Sequence, residues 1–185
     1  MPEKNINSTT MLPAALRPTP DESGMTVPQL LEHRINTLFE QIPLVAELGE
    51  AFARAGHDLY LVGGSVRDAL MGRLGHDLDF TTDARPDDTE AILRQHTHAT
   101  WDIGRAFGTI GAQIDDWVVE VTTYRADAYH PDSRKPEIVY GETLKDDLIR
   151  RDFTVNAMAL HAATRTFSDP YAGLTDICLL YTSPS

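Results

Sequence analysis

The 185-residue chain is 42% apolar, enough for one hydrophobic core of ordinary domain size. Its 16 Lys and Arg against 28 Asp and Glu leave a formal charge of -12, which excludes a blanket phosphate-binding surface and confines any nucleic-acid contact to a local site. The lone cysteine, Cys178, excludes an internal disulfide framework and a Cys-rich zinc site. With no run near the roughly 20 apolar residues of a membrane span, it points to a cytoplasmic protein with no membrane partner.

Residues 1–26 mix Asn, Ser, Thr, Pro and Glu without apolar periodicity, and Pro13, Pro18 and Pro20 interrupt any helix, so a disordered leader is expected. Across 27–56, apolar residues from Leu30 to Ala55 recur at helical spacing. Pro43 divides them into two helices and Gly56 supplies a C-terminal stop. Leu59-Tyr60-Leu61-Val62 reads as a short strand that passes through Gly63-Gly64 into a helix over 65–71. A strand over 77–81 and a helix over 89–95, with Pro86 at its start, come next. Residues 107–114 and 117–124 are β-branched and aromatic runs around Asp115-Asp116, the pattern of an antiparallel hairpin. Residues 125–136 read as a long polar loop, 138–140 as a brief strand, and 144–150 and 153–160 as two short helices.

Four local patterns carry chemistry. Gly63-Gly64-Ser65-Val66-Arg67-Asp68 lies where a strand becomes a helix. Its glycines let backbone approach a phosphate at a helix N-terminus, and Arg67 can add a charged donor; an ordinary tight turn fits the glycine pair equally well. Asp77-Leu78-Asp79 puts two carboxylates on one strand face, where they can share a hard cation or simply be solvated. Glu120, an acid amid the apolar Trp117 to Val121 run, requires exposure or a partner and could complete a two-metal site. The segment from Asp147 to Ala157 holds Arg150, Arg151, Asp152 and Asn156 among apolar residues, which suits ribose and phosphate but also a surface ion-pair cluster.

In this order and over residues 59–174, these motifs resemble the catalytic head of bacterial class II tRNA nucleotidyltransferases, a class shared with bacterial poly(A) polymerases. The resemblance implies an α/β fold of the DNA polymerase beta-like nucleotidyltransferase type, with a small mixed sheet of about five strands backed by helices. It implies that Gly63, Gly64 and Arg67 hold a triphosphate, that Asp77 and Asp79 bind Mg²⁺, and that Glu120 is the third catalytic acid. By the same resemblance Asp147, Arg150 and Arg151 contact the ribose, with Asn156 in support, and 125–136 is a loop that helps close the site. The implied activity is addition of CMP and AMP, from CTP and ATP, to the tRNA 3′ end. Poly(A) synthesis and non-catalytic nucleotide binding stand as the alternatives.

The expected head spans 57–176. Residues 177–185 depart from the family pattern and read as an unnatural, truncated tail, and the helical neck, body and tail regions that would follow are missing. That absence implies impaired base selection and weak RNA binding. His57-Asp58 and His76-Asp77 lack the further ligands of a metal phosphohydrolase, and Gly104, Gly108 and Gly111 do not have dinucleotide-site spacing. Trp101 and Trp117 read as core or half-buried sheet residues, since nothing in the sequence places them in a base-stacking array.

Overall fold

The structure, a computed structural model, describes residues 20–73, 75–102, 104, 107–126 and 139–180, without the side chains of 178–180. Helix α1 (Val27–Gln41) starts at a capping box in which Thr26 Oγ1 accepts the Gln29 N–H and Gln29 answers the Thr26 N–H. Pro43 then opens α2 (Pro43–Arg54), as its missing N–H and fixed φ favour, and Gly56 at φ +84° ends it.

The expected leader is structured from Pro20 on. Residues 20–22 form a 3₁₀ turn that buries Glu22, because the Arg34 guanidinium reaches its carboxylate from Nε at 3.1 Å and from Nη2 at 3.3 Å. A buried charge persists where such a bidentate partner meets it. Residues 1–19 lie outside the described residues.

The central sheet runs through β1 (Leu59–Val62), β2 (Asp77–Thr82), β3 (Thr100–Trp101), β4 (Thr109–Ile114) and β5 (Trp117–Thr123). Two further strands join it, β8 (Ala159–His161) and β9 (Phe167–Ser168), in the order β3-β4-β5-β2-β1-β8-β9. Among the described residues it therefore has seven strands rather than about five, and β2 and β5 are parallel while their neighbours pair antiparallel. A separate ribbon pairs β6 (Arg125–Ala126) with β7 (Val139–Tyr140). The start of the expected loop is thus a strand, and residues 127–136 of it lie outside the described residues.

Alternation decides the two faces of the sheet. Leu59, Leu61, Leu78, Phe80, Ile110, Ala112, Val119 and Val121 are buried in one cluster with apolar residues of α1, α2, α3 (Gly63–Leu70) and α4 (Pro86–Leu93). Asp77, Asp79 and Glu120, one residue out of phase, are exposed on the other face. A smaller cluster of Val62, Ala157, Ala159 and Leu148, the last from α5 (Leu144–Ile149), covers part of that second face.

The helix expected over 153–160 does not form. Thr154–Asn156 is a 3₁₀ turn, Phe153 is exposed, and the chain then pairs with β1, Leu160 opposite Leu61. Met158, Ala159 and Leu160 are buried in succession, split between the two clusters. A strand covered on both faces achieves this, whereas a helix would turn one of the three outward. Ile177, expected in the tail, is buried in the core within α6 (Gly173–Leu180). Asp169 caps that helix by accepting the N–H groups of Gly173 and Leu174.

Candidate functional site

The open face of the sheet brings the expected site residues together around the β1–α3 turn. Val62 is fully extended and Gly63 takes φ +64°, a left-handed backbone that the abrupt strand-to-helix turn requires and that a side chain would strain. Two guanidiniums lie close to this turn. A Cβ at Gly63 would meet Arg151 Nη1 at 3.3 Å, and one at Gly64 would meet Arg67 Nη2 at 3.4 Å. Arg67 is held in place by Asp68, with Nε to Oδ1 at 2.9 Å, and donates from Nη1 to Asn156 Oδ1 at 3.0 Å, which ties Asn156 to the glycine turn.

Helix α3 also fixes the carboxylate strand. Ser65 Oγ donates to the Asp77 carbonyl at 3.1 Å and accepts the Asp79 N–H at 3.1 Å, clamping β2 between its two acids. Asp79 stands opposite Glu120 in the parallel β2–β5 pair. Burial, then the Glu120 charge, raise the Asp79 carboxyl above the usual carboxylate range; Arg151 offsets this in part and Asp77 adds to it. Three acids gathered on one face, one of them reluctant to ionise, form an electrostatic environment that a cation relieves.

Beside the acids opens a cleft of about 260 Å³ lined by Thr122, Arg125, Asp147, Arg150 and Arg151. Asp147 is only 6% exposed, and its Oδ2 accepts from Arg151 Nη2 at 3.0 Å. It therefore anchors Arg151 from the wall of the cleft. Arg125 donates from Nη2 to Thr109 Oγ1 at 3.0 Å. Burial, then the neighbouring Arg150, lower its pKa, with Arg151 adding to the effect and Asp147 opposing it. Among the described residues, the Nε groups of Arg125 and Arg151 are buried with no hydrogen-bond partner. Three guanidiniums crowded at one cleft make it a receptor for an anionic oxygen ligand.

Sequence reasoning assigned no contact to Ser65 or Thr122, and placed Arg125 only at the start of the closing loop. Thr122 was accessible by alternation, two residues beyond Glu120 on the same face. Ser65 and Arg125 gave no local signal, because their positions depend on the packing of α3 against β2 and on the turn from β5 into β6. Among the described residues, no three His, Cys, Asp or Glu side chains converge as a ready metal cage, and no helix is long and apolar enough to cross a membrane.

Known proteins resemble this chain in sequence and fold. A CCA-adding enzyme of Staphylococcus haemolyticus (strain JCSC1435) is 47% identical over 112 residues, 60% of this chain and 27% of its own length. One of Enterococcus faecalis (strain ATCC 700802 / V583) is 38% identical over 143 residues, 77% of this chain and 33% of its own. The chain thus spans about a third of the length of the curated relatives it matches. Among solved structures, the Bacillus stearothermophilus CCA-adding enzyme in complex with CTP superposes with TM-score 0.62 and 34% identity, over 74% of this chain and 31% of that one. A tRNA nucleotidyltransferase complexed with a primer tRNA and an incoming ATP analog gives TM-score 0.57 and 33% identity, over 70% of this chain and 36% of that one. The Poly A polymerase head domain model matches residues 59–179, from the first residue of β1 into α6 and so across every site residue described above. With the glycine turn, the paired acids and the arginine cleft all inside that match, the chain belongs to the poly A polymerase head domain family.

Proposed function

We propose that this chain is the nucleotide-binding head of a template-independent nucleotidyltransferase that adds CMP and AMP to tRNA 3′ ends, using CTP and ATP with Mg²⁺. The observation that carries this reading is the placement of Asp77, Asp79 and Glu120 on one open sheet face, beside a glycine turn flanked by Arg67 and Arg151. The names of the matched relatives support it. The acids fit Mg²⁺, which is commonly held by one or two carboxylates with water and substrate phosphates completing its shell, so a three-residue protein cage is not required. The chemistry supplied by the bound ion is a lowered pKa for the RNA 3′-hydroxyl and charge neutralisation on the triphosphate.

The protein's own groups supply position and charge. The Gly63-Gly64 turn admits phosphate oxygens close to the backbone, and Arg67, steadied by Asp68 and Asn156, donates to them. Arg151, anchored on Asp147, reaches over the turn while Arg150 and Arg125 line the adjoining cleft, where their positive charge favours the ribose and phosphate oxygens. Ser65 sets the spacing of Asp77 and Asp79. On a chain of charge -12, RNA is gripped locally at this face, and a cytoplasmic location follows from the substrate.

Calorimetric titration of ATP and of CTP, each with Mg²⁺ and then with EDTA, tests the proposal. Both nucleotides should bind with comparable affinity, since the proposed contacts reach phosphate and ribose rather than base edges. EDTA or the double substitution Asp77→Ala, Asp79→Ala should abolish binding. A chain that circular dichroism shows to be folded, but that binds neither nucleotide, overturns it.

A further inference from the structure

Of the two tryptophans, Trp117 packs against His76, ring centroids 5.6 Å apart, at the start of β5. Trp101 is placed differently. It lies opposite Gly111, Gly111 lies opposite Glu120, and Glu120 lies opposite Asp79, so one row crosses four strands from the sheet margin to the paired acids. Directly opposed residues share a face, and Trp101 therefore stands on the same open face as Glu120 and Asp79.

The gap between them is left by a glycine. A Cβ at Gly111 would sit 2.1 Å from Trp101 Nε1 and 2.3 Å from Cε2, so the indole occupies the space that a side chain there would fill. The ring lies over β4, and β5, the strand that carries Glu120, is the next one, about 5 Å further along the row. The residue is half-buried, so part of its surface remains open to solvent.

We propose that Trp101 is the platform on which the 3′-terminal nucleoside of the RNA acceptor stacks, its 3′-hydroxyl directed at the Glu120–Asp79 pair. This deepens the nucleotidyl-transfer reading above and rests on it. The glycine turn and the Arg67 and Arg151 guanidiniums flank Asp79 on its β1 side, which places the triphosphate there. In-line displacement puts the attacking and leaving oxygens on opposite sides of the phosphorus, so the hydroxyl arrives from the β5–β4–β3 side, where Trp101 stands. A stacking face accepts any base, as successive addition to a changing 3′ end requires, and it grips RNA without the positive charge this chain lacks.

The test uses the full chain with Trp117→Phe, which leaves Trp101 as its sole tryptophan. A short single-stranded RNA with a free 3′-hydroxyl should quench its emission, whereas ATP with Mg²⁺ should bind and leave the emission unchanged. Trp101→Ala should weaken RNA binding about tenfold, the scale of one lost base stack, with Mg²⁺-ATP affinity unaltered and Trp101→Phe restoring most of the loss. Gly111→Ala, which unseats the indole without removing it, should weaken RNA binding in the same way. If Mg²⁺-ATP binds but RNA leaves Trp101 emission unmoved, or if Trp101→Ala binds RNA as well as the parent, this proposal alone is overturned. A folded chain that binds neither Mg²⁺-ATP nor RNA overturns the nucleotidyl-transfer reading and this one with it.

Discussion

Asp79 and Glu120 face each other across the one parallel strand pair among the described strands, each carboxylate on the open side of the sheet. The native state holds the Asp79 proton more tightly than an unfolded chain does, through burial first and the Glu120 charge second. Ionising Asp79 therefore opposes folding, and the stability at stake is present at low pH and lost as pH rises from the ordinary carboxylate range through the raised value. Asp79→Asn and Glu120→Gln should each raise the melting temperature at neutral pH by a few degrees, a gain of at most about 1 kcal/mol after solvent screening. The Asp79→Asn gain should vanish near about pH 3, where Asp79 is protonated in both states. Thermal melts across that range check it, and an equal gain at acid pH would refute the electrostatic origin.

Ser65 serves geometry more than stability. Ser65→Ala removes the clamp between the Asp77 carbonyl and the Asp79 N–H, at a cost of about 1 kcal/mol in folding. Its larger effect should fall on Mg²⁺-nucleotide affinity, weakened about fivefold to tenfold as the two acids lose their fixed spacing. Calorimetry against denaturant unfolding separates the two effects.

The Glu22–Arg34 pair ties the turn before α1 to the core, and Arg34 also donates from Nη1 to the Leu70 carbonyl at the end of α3. Arg34→Met leaves the buried Glu22 carboxylate without its guanidinium and should cost about 3 kcal/mol. The double change Glu22→Leu, Arg34→Met should recover most of that loss, because the penalty lies in burying the Glu22 carboxylate without the Arg34 guanidinium. Urea unfolding of the two single variants and the double variant provides the cycle.

Helix α5 carries Asp147 and is started by a capping box in which Thr143 and Asp146 exchange hydrogen bonds. Thr143→Ala should destabilise the protein by about 1 kcal/mol and loosen the Arg151 anchor one turn away, visible as faster amide exchange in α5. The Thr143 hydrogen bonds hold the Asp146 carboxyl below its usual range, so the cap's contribution is present above the ordinary Asp pKa and lost as pH falls through the lowered one.

The elements legible in the sequence are those whose cause is local. The helical spacing from Leu30 to Ala55, Gly63 at a strand end, and the Asp115-Asp116 turn each determine their own geometry. The paired acids were legible because strand alternation puts Asp77 and Asp79 on one face. That Glu120 stands exactly one strand away depends on the register of a parallel pair, which no local pattern encodes. Strand β8 was illegible because Val155, Met158 and Leu160 fit a helix until β1 supplies a partner. Trp101 read as an ordinary sheet residue because its neighbour Glu120 is reached only through the β4–β5 hairpin.

The sheet ends on both sides in strands of two residues, β3 and β9. Margins that short present few free N–H and C=O groups to another chain, and a flat, long edge is what recruits further strands into fibres or swapped dimers. A surface of charge -12 adds mutual repulsion between copies. Among the described strands, growth by strand addition is therefore disfavoured, and the open face with its acids and aromatic ring is left to a ligand.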